Sequence, residues 1–413
     1  MTYRVSYWKT TAISFVAAWP CLFGLVRLFS FRLPFISLSL LCILLAMITL
    51  TCLSIAAGGL ICLWRDAREI AGIADFLACS AVRVPKLGLL SSLGLRFLQG
   101  TRLRPGDLVE VRPRHEIEAT LDTQRTLAGL PFMVEMEPFC NGVFRVHRRV
   151  DHINDMRNKT GLRRIRDVVT LTDVRCSGCA HGGCQAECQI LWKDAWLRKV
   201  PAAVGRAAAV SYGRAPSQST DSPKRDTVYF CQMTALWEAS QPLAAIDIRQ
   251  EFRPLLSGNV SFADFLLTLL TRIFNGVQTL RGGVGYPFMT QNAIKGLPLA
   301  PEHHFKAGDS VVVCSKDEIS RTLVNGKNKG LWFDKDMIRF CGRPAIVRKQ
   351  VNRIIHESTG KMVVLKTPCV VLENVVATGE FLRLCPQHEY IFWRETWLKP
   401  SPQVQQSEIA RSQ

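Results

Sequence analysis

Gly106 to Cys140 reads "GDLVEVRPRHEIEATLDTQRTLAGLPFMVEMEPFC", and Gly308 to Cys341 reads "GDSVVVCSKDEISRTLVNGKNKGLWFDKDMIRFC". Identities run through Gly106/Gly308, Asp107/Asp309, Val109/Val311, Val111/Val313, Glu116/Glu318, Ile117/Ile319, Thr120/Thr322 and Leu121/Leu323. They continue through Gly129/Gly330, Leu130/Leu331, Phe132/Phe333, Met136/Met337, Phe139/Phe340 and Cys140/Cys341. After a variable middle, Gly178/Gly379, Cys184/Cys385, Trp192/Trp393, Trp196/Trp397 and Leu197/Leu398 coincide. The offset is 202 at Gly106/Gly308 and 201 at Trp196/Trp397. Chance similarity does not hold register over such a length, so one module is present twice.

Each copy opens on a Gly-Asp turn followed by alternating polar and branched apolar residues, the pattern of a half-buried strand. "RHEIEATL" and "KDEISRTL" suit a short helix or turn, and "GVFRVHRRV" and "RPAIVRKQV" read as a further strand. "TGLRRIRDVVTLTDV" and "TGKMVVLKTPCVVLENV" read as a hairpin. Several short strands in so small a unit resemble a barrel of SH3-like type. Cys184, Cys188, Trp192 and Trp196 stand four apart, which predicts a helix at the end of the module. The expected fold class is α+β, mainly β: two duplicated small SH3-like barrel modules, each closed by a C-terminal helix, after an N-terminal transmembrane helical region.

The transmembrane expectation comes from Phe35 to Trp64, where no residue is charged. That run exceeds the roughly 20 apolar residues a membrane-spanning helix needs. Thr11 to Val26 is almost as apolar, so the region reads either as a helical hairpin or as one span with an interfacial first segment. A buried core helix pair is the alternative. Arg4 and Lys9 before the first run, and Arg65 and Arg68 after the second, place both ends of a hairpin on the cytoplasmic side. The expected localisation is therefore membrane, with a cytoplasmic soluble part.

The domain boundaries follow from these runs and from composition. Residues 1–68 form the transmembrane or N-terminal hydrophobic region, 69–104 a connecting segment, and 105–200 the first repeat module with its cysteine cluster. Residues 201–226 are rich in Ala, Ser and Pro and read as a flexible linker. A mixed helical segment spans 227–304, the second repeat module 305–400, and a polar, disordered tail 401–413.

The chemistry concentrates in "RCSGCAHGGCQAEC", Arg175 to Cys188. Its spacing is C-x2-C-x4-C-x3-C, with His181 in the second gap, and Gly178, Gly182 and Gly183 permit tight turns. Clustered thiols in a reducing compartment more often hold metal than form disulfides. Tetrahedral zinc takes four Cys, or three Cys and one His. The candidate metal ligands are Cys176, Cys179, His181, Cys184 and Cys188. The segment is similar to a zinc knuckle, C-x2-C-x4-H-x4-C, with Cys184 where the knuckle histidine stands and a shorter last gap. Zinc is the expected cofactor, with an iron–sulfur cluster as the alternative, since that too uses four thiolates. Only Cys140 and Cys184 recur in the second copy, as Cys341 and Cys385. Cys176, Cys179, His181 and Cys188 are peculiar to the first and are the better functional candidates.

Hydrophobic residues make up 48% of 413, enough for a sizeable core, and the formal net charge is +18. So basic a balance favours anionic partners. The expected partners are a membrane and another macromolecule. Nucleic acid is admitted by charge but supported by no motif. Phosphate-cradling glycine loops, H-E-x-x-H and G-x-S-x-G are all missing, so no catalytic and no organic-cofactor residue is assigned, and enzymatic activity stays open. The sequence thus points to a membrane-associated tandem-repeat protein with a structural, zinc-type cysteine cluster, acting in binding or as a scaffold. The alternatives are an enzyme or accessory subunit with an iron–sulfur or dithiol redox centre, and a nucleic-acid-binding protein.

Overall fold

Gly106 and Gly308 adopt positive φ (88° and 93°), turning the chain into the first strand of each repeat. The following aspartate accepts a backbone N–H from the residue three before it, Arg104 at 2.9 Å and Lys306 at 2.7 Å. The strands so launched are β1 (Leu108–Val111) and, in the second repeat, β11 (Ser310–Val313). Val109, Val111, Val311 and Val313 face the interior, while their neighbours are half exposed. These contacts belong to a computed structural model that describes residues 103–155, 161–201, 227–243, 249–287 and 304–401.

A short helix (Arg114–Glu118), the ribbon of β2 (Thr126–Leu127) and β3 (Leu130–Pro131), and a 3-10 turn (Val134–Phe139) follow β1. The chain then runs through β4 (Val143–Arg149), β5 (His152–Asn154), β6 (Leu162–Arg164), β7 (Val168–Arg175) and β8 (Gln189–Lys193). A 3-10 turn, Asp194–Trp196, leads into β9 (Leu197–Lys199), which pairs back onto β1. The resulting antiparallel sheet has the order β8-β7-β4-β1-β9. The inter-repeat segment contributes β10 (Gln241–Pro242), which joins β6 and β5 in a second, three-stranded sheet.

In the second repeat the same course gives β11, a helix (Lys316–Arg321), β12 (Lys327–Asn328), β13 (Leu331–Trp332), β14 (Pro344–Ile355), β15 (Met362–Val376), β16 (Tyr390–Trp393) and β17 (Leu398–Pro400). Its sheet order, β16-β15-β14-β11-β17, matches the first element for element. Here β14 and β15 are continuous with bulges. In the first repeat the equivalent strands break near Asp151 and Asp167. With Asp194 these surround the buried Arg149 guanidinium at 3.1 to 3.4 Å. Each core is built on an aromatic group: Phe132 edge-on to Trp196 and Phe139 to Trp192, repeated as Phe333 on Trp397 and Phe340 on Trp393. Each inner indole N–H donates to a threonine hydroxyl, Trp196 to Thr120 at 3.1 Å and Trp397 to Thr322 at 2.9 Å.

Both repeats belong to one compact unit; the amphipathic helix Phe262–Leu280 belongs to a second. The repeats meet along a pseudo-twofold seam, in which equivalent positions exchange contacts as in an isologous dimer. Glu187 reaches Arg348 at 2.9 Å and Lys349 at 2.7 Å. Its counterpart His388 reaches His147, the counterpart of Arg348, at 3.3 Å. One half of the seam is an ion-pair cluster and the other a pair of imidazoles.

Three sequence expectations are corrected. The fold is a mixed, sheet-rich one with seventeen strands and few helices among the described residues. It is not a pair of SH3-like barrels closed by helices. The expected closing helix is a loop, a strand and a 3-10 turn, and every side chain of β8 is buried. Four-residue spacing of large side chains imitates a helical stripe, but a strand buried on both faces tolerates tryptophan at any position. Among the described residues no helix is long and apolar enough to cross a membrane. The expected transmembrane region, 1–68, lies outside the described residues, as do most of the connecting segment, the linker 202–226 and the tail 402–413. Its warrant was apolar length alone, which a buried helix pair satisfies equally. The expected membrane localisation with a cytoplasmic soluble part is corrected by the same finding, since none of the described helices could span a bilayer.

Candidate metal centre

The cysteine-bearing loop between β7 and β8 is shaped by its backbone. Gly178 sits at φ +71°, and a Cβ there would run into the Cys184 carbonyl. Its own carbonyl accepts from His181 N and Gly183 N, both at 3.0 Å, and Cys184 N donates to His181 O at 3.2 Å. The second repeat makes the same turn: Gly379 lies at φ +72° against the Cys385 carbonyl, and Leu382 N and Leu384 N donate to Gly379 O at 2.9 and 2.8 Å. The turn therefore needs no metal. What the first repeat adds is its side chains, with Cys176 in place of Ala377 and His181 in place of Leu382.

That turn folds the chain back so that His181, five residues on, lies beside Cys176. The Cys176 Sγ to His181 Nδ1 distance is 3.9 Å. His181 Nδ1 is also 2.6 Å from Glu135 Oε1, which accepts from Ala180 N at 2.9 Å. One ligand atom from each of Glu135, Cys176 and His181 lies within 4.8 Å of the other two, and this is the one such trio among the described residues. Glu135 Oε2 is buried with no hydrogen-bond partner. A buried carboxylate oxygen left unpaired calls for an ion or a water.

Burial works to raise the Glu135 carboxyl, but the hydrogen bond and charge of His181, with backbone N–H groups, hold it below the usual range. Burial, reinforced by the charge of Glu135, pushes the Cys176 thiol far up. The Cys188 thiol is pushed up by burial and then by Glu389. A cation replacing these protons would reverse that penalty, which is how metal binding couples to proton release.

The other candidates are placed differently. Cys179 receives a hydrogen bond from Ser177 Oγ at 3.1 Å and is not in the trio. Cys184 Sγ accepts from Ile355 N of the second repeat at 3.4 Å. Cys188 fixes the base of the loop through its carbonyl, which accepts from Cys176 N at 2.9 Å. Cys176, His181, Cys184 and Cys188 all line a cavity of about 130 Å³ at the seam, joined by Cys231 from the inter-repeat segment. The four cavity cysteines, Cys176, Cys184, Cys188 and Cys231, are free thiols.

Glu135 and Cys231 escaped the sequence reading. For Glu135 a signal existed: the acid recurs as Asp336, which accepts from Thr378 N and Gly379 N at 2.9 Å each. The position thus holds the loop in both copies. Cys231 lies between the repeats, where no internal alignment reaches.

The donor types suit a zinc-type ion, but the positions are those of a hydrogen-bonded trio. Ligand lengths of about 2.3 Å to sulfur and 2.0 Å to nitrogen or oxygen at a tetrahedral angle put S and N roughly 3.5 Å apart and N and O roughly 3.3 Å apart. Cys176 Sγ and His181 Nδ1 stand at 3.9 Å, and His181 Nδ1 and Glu135 Oε1 at 2.6 Å, so an ion would replace the Glu135–His181 hydrogen bond. Fold and site together give a duplicated, sheet-rich protein whose first copy carries a Glu135–Cys176–His181 cluster that could hold a metal. No protein family model matches the chain, and no curated protein matches it.

Proposed function

We propose that this chain is a non-enzymatic tandem-repeat binding protein whose first repeat holds a structural divalent ion, zinc foremost, on Glu135, Cys176 and His181. The observation that carries the reading is the orphaned Glu135 oxygen in a trio of nitrogen, sulfur and oxygen donors, with Glu135 and His181 buried and Cys176 partly so. Accessibility favours structure over catalysis: the side chains of His181 and Glu135 are 7% and 1% exposed. The adjoining cavity, about 130 Å³, falls well below the roughly 300 Å³ at which small-molecule sites begin. The formal charge of +18 favours an acidic macromolecule as the docked partner. Elemental analysis of full-length protein purified anaerobically, beside Glu135→Gln and Cys176→Ser, tests the reading. One ion per chain, lost in both variants, supports it; a metal-free chain that folds normally under reducing conditions overturns it.

A further inference from the structure

The segment between the repeats lies over one face of the first. The Gln232 side chain accepts from Leu191 N at 2.8 Å and donates to Leu191 O at 2.8 Å and to Pro131 O at 3.1 Å, which caps the edge of β8. The short helix Gln232–Ala235 packs on β3. The backbone of Glu238 and Ala239 then runs so close to Gly129 that a Cβ there would stand 2.9 to 3.0 Å from it. Arg163 stacks on Trp237, 3.6 Å from the ring centroid, and donates to Trp237 O and Ser240 O at 3.0 and 2.7 Å. β10 completes the cover by pairing with β6 at Arg163 and Arg164. Beneath it Leu130, Ile153 and Leu191 are fully buried.

The second repeat keeps this face and lacks the cover among the described residues. Nothing lies within 4 Å of a Cβ built on Gly330, the counterpart of Gly129. Trp332 stands in the place of Pro131 and is 59% exposed. Ile354 pairs with Val363 and Arg353 with Val364, as Ile153 pairs with Arg163 and His152 with Arg164. Val363 and Val364 thus replace the two arginines, and they are 39% and 65% exposed. Leu331, Ile354 and Phe392, the counterparts of Leu130, Ile153 and Leu191, are only partly buried. An exposed apolar patch rimmed by polar residues marks an interaction surface. The rim differs too: Lys327, Lys329 and Lys335 replace Thr126, Ala128 and Val134. Lys327 Nζ lies 4.4 Å from the Trp332 ring centroid. Asp334, in place of Met133, offsets one of these charges.

We propose that this face of the second repeat docks an acidic segment of a partner protein, along the course that the inter-repeat segment takes on the first. The segment crosses β13 and then adds a strand to β15 at Val363 and Val364, a common mode of peptide recognition. Its apolar side chains seat on Trp332 and the two valines, and its carboxylates face the three lysines. The inference rests on the binding reading above and not on its metal. The lysines choose among occupants. Residues 402–413 hold one acid and one base, and a second copy carries the same formal charge of +18, so neither complements the rim.

The probe is a displayed library of random peptides, each the length of residues 231–242, selected against the full-length chain. Enriched peptides are synthesised and titrated. They should carry net negative charge and a large apolar residue, and bind one per chain. Trp332→Ala should weaken binding more than about 10-fold, as truncation of an interface anchor does. Lys327→Glu combined with Lys335→Glu should weaken it as much and flatten its salt dependence. Fluorescence of the buried Trp393 and Trp397 checks that each variant is folded, and Val364→Glu serves as the second variant on the face. Binding should slow amide exchange across residues 327–333 and 362–366. No enrichment, neutral or basic peptides, or peptides indifferent to both Trp332→Ala and Val364→Glu overturn the inference. So does binding that arises only once residues 402–413 are removed, which makes that segment the occupant. A chain that holds one ion yet selects no such peptide overturns this inference and leaves the metal centre standing.

Discussion

Replacing Gly178 and Gly379, one at a time, with alanine separates what the loop does for folding from what it does for the metal. Both glycines sit at φ near +71°, and in both a Cβ would meet the carbonyl six residues on. An L-residue in this region costs about 1–2 kcal/mol. Relieving the overlap must also stretch the turn's hydrogen bonds, three in each copy at 2.8 to 3.2 Å, each worth on the order of 1 kcal/mol net. Each substitution should therefore destabilise by about 2–4 kcal/mol. Only Gly178→Ala moves His181 away from Glu135 and Cys176. Urea unfolding followed by tryptophan fluorescence gives the first quantity, and zinc competition against a chromophoric chelator gives the second. Equal stability losses should accompany a loss of zinc affinity in Gly178→Ala and none in Gly379→Ala. Equal zinc affinities in the two variants would refute the view that this turn builds the centre.

Two further outcomes follow from the cores and the seam. Arg149→Met leaves Asp151, Asp167 and Asp194 without their shared cation and should cost about 3–5 kcal/mol in urea unfolding. Arg149→Gln should cost less, because Gln350 occupies the equivalent place and reaches Phe305 O and Glu395 at 2.9 and 3.1 Å. At the seam, burial and then Arg148 push His147 down to about 4 and His388 down to about 2. An unfolded histidine titrates near 6.5, so the unfolded chain gains protons first as pH falls. The stability given by the neutral pair is thus present above about pH 6.5 and lost on acidification toward pH 4, by roughly 2 kcal/mol per histidine at pH 5. Glu389, raised to about 8 by burial, works in the opposite direction. The test is therefore the difference between wild type and His388→Asn from pH 7 to 5. Parallel stability curves would contradict the assignment.

Much of the sheet was legible because Gly106/Gly308 and the valines after them carry their conformation in a few local residues, a turn glycine and a two-residue period. The module's end was misread because Cys184, Cys188, Trp192 and Trp196 keep helical spacing while standing on a loop, a fully buried strand and a 3-10 turn. At the site, C-x2-C suggested Cys176 and Cys179 as partners. The left-handed Gly178 instead returns the chain at His181, so the fifth residue rather than the third meets Cys176. Glu135 and Cys231 arrive through tertiary contacts that no local spacing records. The N-terminal apolar run shows the limit of hydropathy, which measures a transfer preference and names no structure.

The most direct test of the central claim is X-ray absorption at the metal edge of the full-length, anaerobically purified protein. A bound ion with sulfur near 2.3 Å and nitrogen and oxygen near 2.0–2.1 Å in a four-atom shell is the expected spectrum. An all-sulfur shell, short metal–metal scattering from a cluster, or no bound metal would contradict it.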